Sequence, residues 1–286
     1  MPQSAVTELL PQEMTPVTPF MQMLTERHLM PHLDALAASL QELRRGIDAK
    51  LQPAMPEFFG KPYPLGRCEP IARYALTLLS EALQKPASPG MTMLRNFVLA
   101  GGEIRPIWGV LRGRYFQNAL QMGALYVDVA NDTVDPAKPQ IEILPLAESG
   151  MESVRDAAHC ATIAASYWQA EVYANHVIPS LAPILPLLTL APNQPPTLQL
   201  ACDYMIALFM RDGFRNAEAW LASRPPPPEH AAEQLLAAAP DYLRPSSLAS
   251  GRGQAIAACI AARGEGRDRD MAWRDARVRD LLKIRG

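Results

Sequence analysis

"YPLGRCEPIARYALTLLSEAL", residues 63–83, sets a single cysteine at the mouth of a helix, directly behind a Pro-Leu-Gly-Arg turn. Ile71, Tyr74, Ala75, Leu78, Leu79 and Ala82 recur on one helical face, and Pro70 falls in the first turn, where its missing N–H is harmless. A thiol at that position lies where unpaired backbone N–H groups and the helix dipole favour negative charge, which lowers its pKa. The competing reading of Cys68 is a small, buried, unreactive side chain, because free cysteine is among the most buried residue types.

Upstream, Leu33, Leu36, Ala37, Leu40, Leu43, Ile47 and Leu51 trace a helix of about five turns, with Gln41, Glu42, Arg44 and Arg45 off the apolar stripe. Pro53 and Pro56 stop it, and "FFGKPYPLG" loops into the Cys68 helix. Downstream of "KPASPG" the pattern changes to short apolar runs at 96–102, 104–111, 124–130 and 141–146, punctuated by Gly and Pro, which read as strands. Residues 154–172 and 197–224 then read as long helices. "PPPP" at 225–228 is a stiff punctuation mark before short Ala-rich helices and a charged amphipathic tail that docks by its apolar face. The expected fold class is α+β: a small antiparallel sheet packed on the cysteine-bearing helix, with a largely helical C-terminal half. The expected divisions are a flexible arm over 1–19, an α+β domain over 20–148 and a helical region over 149–286.

The chain has 286 residues, 49% hydrophobic and 20% charged, enough for a substantial core in one large domain or two ordinary ones. A net charge of −2 gives no general pull toward nucleic acid or an anionic membrane. Its four cysteines contain no CxxC pair, which points away from a zinc ribbon or disulfide scaffold and toward free thiols in a reducing compartment. The N-terminus lacks a basic segment followed by an apolar one, so a cytoplasmic location is expected, although the Ser/Thr/Pro-rich start is also compatible with a non-cleaved export signal. "HVIPSLAPILPLLTLAP", residues 176–192, is broken by Pro179, Pro183 and Pro186. It is too short to span a bilayer and reads as a buried, kinked connection.

The stretch "RYFQNALQMGALYVDVANDTVDPAKPQIEILP", residues 114–145, resembles part of the bacterial cysteine amidases of the papain-like and transglutaminase-like superfamily, whose general pattern is His-x-Trp-Leu-x-x-Gly-x-x-Ile-Asp-Ile-Thr. "PLGRCEPIARYALTLL" is similar to their Gly-x-Cys helix start, so the resemblance spans about residues 62–146. It implies that Cys68 matches the nucleophile and Asp128 the carboxylate that orients the base. The position of the histidine base reads Gln117, whose amide cannot take a thiol proton. The five histidines are His28, His32, His159, His176 and His230, and of these His159 and His176 lie on segments that could supply another base.

The expectation that follows is a degenerate cysteine-hydrolase-like protein that binds a protein or small-molecule partner without turnover, with no cofactor and no metal. Two alternatives stay open. One is an active cysteine-dependent amidase, peptidase or transglutaminase using Cys68 for acyl transfer. The other is a metal or sugar-nucleotide enzyme using the acidic turn "DVANDTVD", residues 128–135, which matches neither an EF-hand nor an Asp-x-Asp pair and reads more simply as a polar strand cap. His28 and His32 lie one helical turn apart with Asp34 beyond, but Pro31 interrupts them and a helix terminus is the simpler reading. Oligomeric state is beyond the sequence.

Overall fold

The computed structural model describes residues 9–198, 202–245 and 247–285. The described residues divide into two compact units, 12–153 and a second made of those from 154 onward with 9–11.

The first unit begins with α1 (Pro19–His28) and α2 (Leu33–Ala54), followed by a short hairpin of β1 (Glu57–Phe58) and β2 (Lys61–Pro62). α3 (Cys68–Gln84) and α4 (Pro89–Leu99) come next. A five-stranded antiparallel sheet completes it, built from β3 (Ile104–Leu111), β4 (Tyr115–Met122), β5 (Leu125–Asp128), β6 (Glu142–Pro145) and β7 (Met151–Glu152) in the order β6-β5-β4-β3-β7. The fold is α+β, as the alternation of helical and strand-length apolar runs predicts.

One face of the sheet packs on the helices. Leu120 and Met122 of β4 and Leu125 and Val127 of β5 join a buried core with Leu36, Leu40 and Ile47 of α2, Ile71, Ala75 and Leu79 of α3, and Leu94 and Phe97 of α4. Successive strand residues point to opposite faces. Asn118 therefore shares the helix-facing side with Leu120 and Met122, while Gln117 shares the other side with Ala119 and Gln121. On β5, Tyr126 and Asp128 lie on the Gln117 side.

Three expectations are corrected here. Residues 96–99 are helical, because Ser88 caps α4 through the Met91 N–H and the apolar run "FVL" ends that helix instead of forming a strand. β4 was absent from the expected strands, since Gln117, Asn118 and Gln121 make it read as polar, although all three are buried. Arg44, read as lying off the apolar stripe, is nonetheless fully buried in α2. Residues 12–15, expected within a flexible arm, are fixed: Gln12 O accepts from Trp108 N–H at 2.9 Å, Thr15 N–H donates to Gln121 Oε1 at 2.9 Å, and Gln121 Nε2 donates back to Thr15 O at 3.0 Å. Residues 1–8 of that arm lie outside the described residues.

The second unit contains α5 (Ala157–Tyr167), a three-stranded antiparallel sheet of β8 (Glu171–Ala174), β9 (Leu187–Leu190) and β10 (Thr197–Leu198), and then α6 (Asp203–Arg211), α7 (Arg215–Ser223), α8 (Glu229–Ala238), α9 (Gly251–Gly264) and α10 (Met271–Arg285). The proline-broken segment 176–192 is buried as far as Leu188 except at half-buried Ser180, and it contains β9. The two long helices expected over 154–172 and 197–224 are shorter than periodicity suggests. α5 stops before β8, and the later stretch includes β10 and then breaks between α6 and α7 where Gly213 and Phe214 both take positive φ, +64° each. Cys202, expected inside a helix, instead caps the start of α6. The charged tail does form α10, which buries Leu281 and Ile284.

Candidate functional site

Cys68 is the first residue of α3, and the turn before it is held from two sides. Gly66, at φ +72°, donates its N–H to Thr133 O at 2.9 Å, and a left-handed backbone there favours glycine. Arg67 is buried, with its guanidinium stacked 4.5 Å over the exposed Phe58 ring of the β1–β2 hairpin. The sulfur of Cys68 meets Asn118, whose Nδ2 lies 3.6 Å from Sγ, a hydrogen-bonding distance for the larger sulfur atom. Burial pushes the Cys68 thiol above its ordinary value, and the Asn118 side chain and nearby backbone donors offset only part of this. The lowering expected from the helix start is thus opposed by desolvation, the largest influence on this thiol.

Gln117 and Asp128 are brought together, one residue out of phase with the sulfur. Gln117 Nε2 donates to Asp128 Oδ2 at 2.7 Å and to Ala130 O at 3.2 Å, and Gln117 Oε1 is buried without a hydrogen-bond partner. Asp128 is fully buried and also accepts from Tyr126 OH at 3.0 Å and from Ala130 N–H at 2.7 Å. Burial raises its carboxyl to about 6, against these three donors. The pair expected beside the thiol forms as a pair, but it is Asn118 that touches Cys68.

The turn after Asp128 is organised by a residue that lies off the apolar stripe of α2. Arg44 donates Nη1 to Asp132 Oδ1 at 2.8 Å and to Val129 O at 2.8 Å, Nη2 to Asp132 Oδ2 at 3.1 Å, and Nε to Asp48 Oδ1 at 2.7 Å. Burial works against its charge, but Asp132 and Asp48 outweigh that and hold it protonated. Asp48 also accepts from Tyr63 OH and Gln140 Nε2. Asn131 Nδ2 reaches Pro139 O at 2.9 Å, and Asp135 accepts from Ala137 N–H at 2.9 Å. The three carboxylates of 128–135 are therefore each engaged by donors of the chain itself. Among the described residues no group of three or more His, Cys, Asp or Glu is arranged to hold a metal ion.

His159 and His176 belong to the second unit and have partners there. His159 Nδ1 accepts from Arg155 N–H at 3.3 Å, and His176, its pKa lowered by burial, has Nε2 2.8 Å from Leu221 O. Asn118 was not singled out in the sequence, yet a signal was present. The family pattern has three residues between its Gly and its Asp, whereas four separate Gly123 from Asp128. Counting back from Gly123 gives Gln117; counting back from Asp128 gives Asn118.

No protein family, curated protein or solved structure matches the chain. Among the described residues no helix is long and apolar enough to cross a membrane.

Proposed function

We propose that the first unit is a catalytically silent, cysteine-hydrolase-like module that binds a protein or small-molecule partner without turning it over. The observation that carries this reading is the Asn118 amide at 3.6 Å from Cys68 Sγ. A nucleophilic thiol needs an adjacent base or a depressed pKa, and an amide has no lone pair that takes a proton near neutral pH. Burial moves the thiol in the opposite direction. Asp128, which would orient an imidazole in a working triad, instead binds Gln117, Tyr126 and Ala130.

The test is incubation with an activated acyl ester and with peptide amides at neutral pH, followed by intact-mass measurement and turnover assays, with Cys68→Ala as control. The expected result is no acyl group on Cys68 and no turnover above the control. A Cys68-dependent acyl adduct that forms and is released catalytically would overturn the reading in favour of an acyl-transfer enzyme.

A further inference from the structure

The second unit carries a cleft of about 430 Å³ lined by Arg211, Asp212, Gly213, Arg215, Arg263, Gly266, Asp268 and Arg269. Four arginines against two aspartates make it cationic, and no aromatic or aliphatic residue lines it. Arg211, in the last turn of α6, and Arg263, in the last turn of α9, sit where the helix dipole favours a cation. Arg215 does not: it opens α7, the end at which the dipole disfavours positive charge.

Gly213 explains how two of these side chains converge. A Cβ there would lie 3.4 Å from Arg215 Nη1 and 3.4 Å from Arg263 Cδ, so the bare backbone is bracketed by both. Each guanidinium is fixed by a contact that leaves further N–H groups. Arg215 Nη1 donates to Asp212 O at 2.8 Å, while Arg263 donates Nη1 to Gly213 O at 3.0 Å and Nη2 to Glu218 Oε2 at 2.8 Å. A guanidinium carries five N–H donors in a planar fork. Gly266, at φ +69°, adds no side chain, and the space where its Cβ would stand is open.

We propose that this cleft binds the phosphate group of a small hydroxylated phosphate ester. Pre-positioned guanidinium forks suit a dianionic tetrahedral oxyanion better than a single lysine would. The absence of a stacking surface among the lining residues argues against a nucleobase or a single-stranded nucleic acid. Asp268, whose Oδ2 lies 3.7 Å from Arg269 Nε, keeps its second oxygen to accept from hydroxyl groups beside the cationic wall.

The experiment is calorimetric titration of the full chain, at fixed ionic strength, with inorganic phosphate, ribose 5-phosphate and sodium chloride. Arg211→Ser/Arg269→Ser serves as the variant, since both residues are exposed, and its unfolding curve is recorded beside that of wild type. The expected result is saturable binding of ribose 5-phosphate, weaker binding of inorganic phosphate, none of chloride, and at least about a tenfold loss of affinity in the variant. Arg263→Lys, which keeps the charge but loses the fork, is expected to weaken binding as well. Inorganic phosphate binding as tightly as the ester would overturn the ester and leave a phosphate site. No saturation by either phosphate up to about 10 mM, or equal affinity in wild type and the exposed double variant, would overturn the site itself.

Discussion

Asn118 of β4 and Cys68 of α3 meet across the sheet–helix boundary, amide nitrogen to sulfur at 3.6 Å. Gln117, one residue earlier, faces the other way and spends its amide on Asp128. Strand alternation makes this a sharp distinction, because neighbouring residues cannot both reach α3. The position from which an imidazole would address the thiol is therefore 118.

Replacing Asn118 by His is expected to put a titratable base beside the sulfur, and a Cys–His ion pair lowers a thiol well below its free value of about 8.5. Gln117→His is expected to leave the thiol unaffected, since its ring would enter the Asp128 pocket. The measurement is the rate of Cys68 alkylation against pH, read by peptide mapping, in wild type and both variants. A downward shift in Asn118→His alone is the expected pattern. A shift in Gln117→His, or in neither, would show that the strand does not present residue 118 to a reactive thiol.

How far the sequence reaches depends on what each signal measures. The start of α3 was legible because Pro70, the preceding turn and the Ile71–Ala82 stripe all agree on one boundary. β3 was legible as a mostly apolar run set between Gly101–Gly102 and Gly113. β4 was hidden because its polar residues are satisfied inside the protein, and composition cannot distinguish a buried, paired amide from an exposed one. Of the residues that motif order picks out, Gln117 and Asp128 do pair, while Cys68 meets Asn118 instead. The choice between 117 and 118 depends on one extra residue between Gly123 and Asp128 that only strand register resolves. The burial of Arg44 was not legible because a charge off the apolar stripe usually faces water, and its two carboxylate partners are distant in sequence or off that stripe.

Arg44 and Asp132 form a buried bidentate pair that fixes the turn behind Asp128. Removing one partner leaves an uncompensated charge, which costs roughly 3–5 kcal/mol. Arg44→Met is expected to lose that much stability in urea unfolding, and Arg44→Met/Asp132→Leu to recover a large part of it. A loss below about 1 kcal/mol in the single variant would mean the pair is hydrated in solution.

Gly109 of β3 lies against β7 so closely that a Cβ would stand 2.3 Å from Glu152 O. Backbone cannot yield as a flexible side chain can, so Gly109→Ala is expected to detach β7 and destabilise the unit by about 1–3 kcal/mol. Amide exchange at Arg112, whose N–H donates to Gly150 O at 2.7 Å beside the β3–β7 pairing, is expected to accelerate while exchange along β4 and β5 changes little. Unchanged protection at Arg112 would contradict the close approach.

Asp128 gives the fold a pH dependence whose sign is opposite to that of a salt-bridged carboxylate. Its folded value, about 6, lies above the unfolded value of about 3.9. Its contribution is therefore fully present below about pH 4, is lost as the pH rises toward about 6, and leaves an ionisation cost on the order of 3 kcal/mol above that. Asp128→Asn removes the titration and keeps the shape. With the Gln117 amide turned over, the unpartnered Oε1 can accept from the new amide, while the Asn oxygen accepts from Ala130 N–H. Asp128→Ala leaves Tyr126 OH and the Ala130 N–H without this acceptor, at about 1–3 kcal/mol for each buried group, and leaves Gln117 Nε2 only Ala130 O. Urea unfolding between pH 4 and pH 7 separates these effects. The stability difference between wild type and Asp128→Asn is expected to move toward the variant by on the order of 3 kcal/mol across that interval, whereas Asp128→Ala is expected to be less stable than Asp128→Asn throughout. A constant difference between wild type and Asp128→Asn would show that the carboxyl titrates as it does in the unfolded chain, and that the donors around it balance its burial.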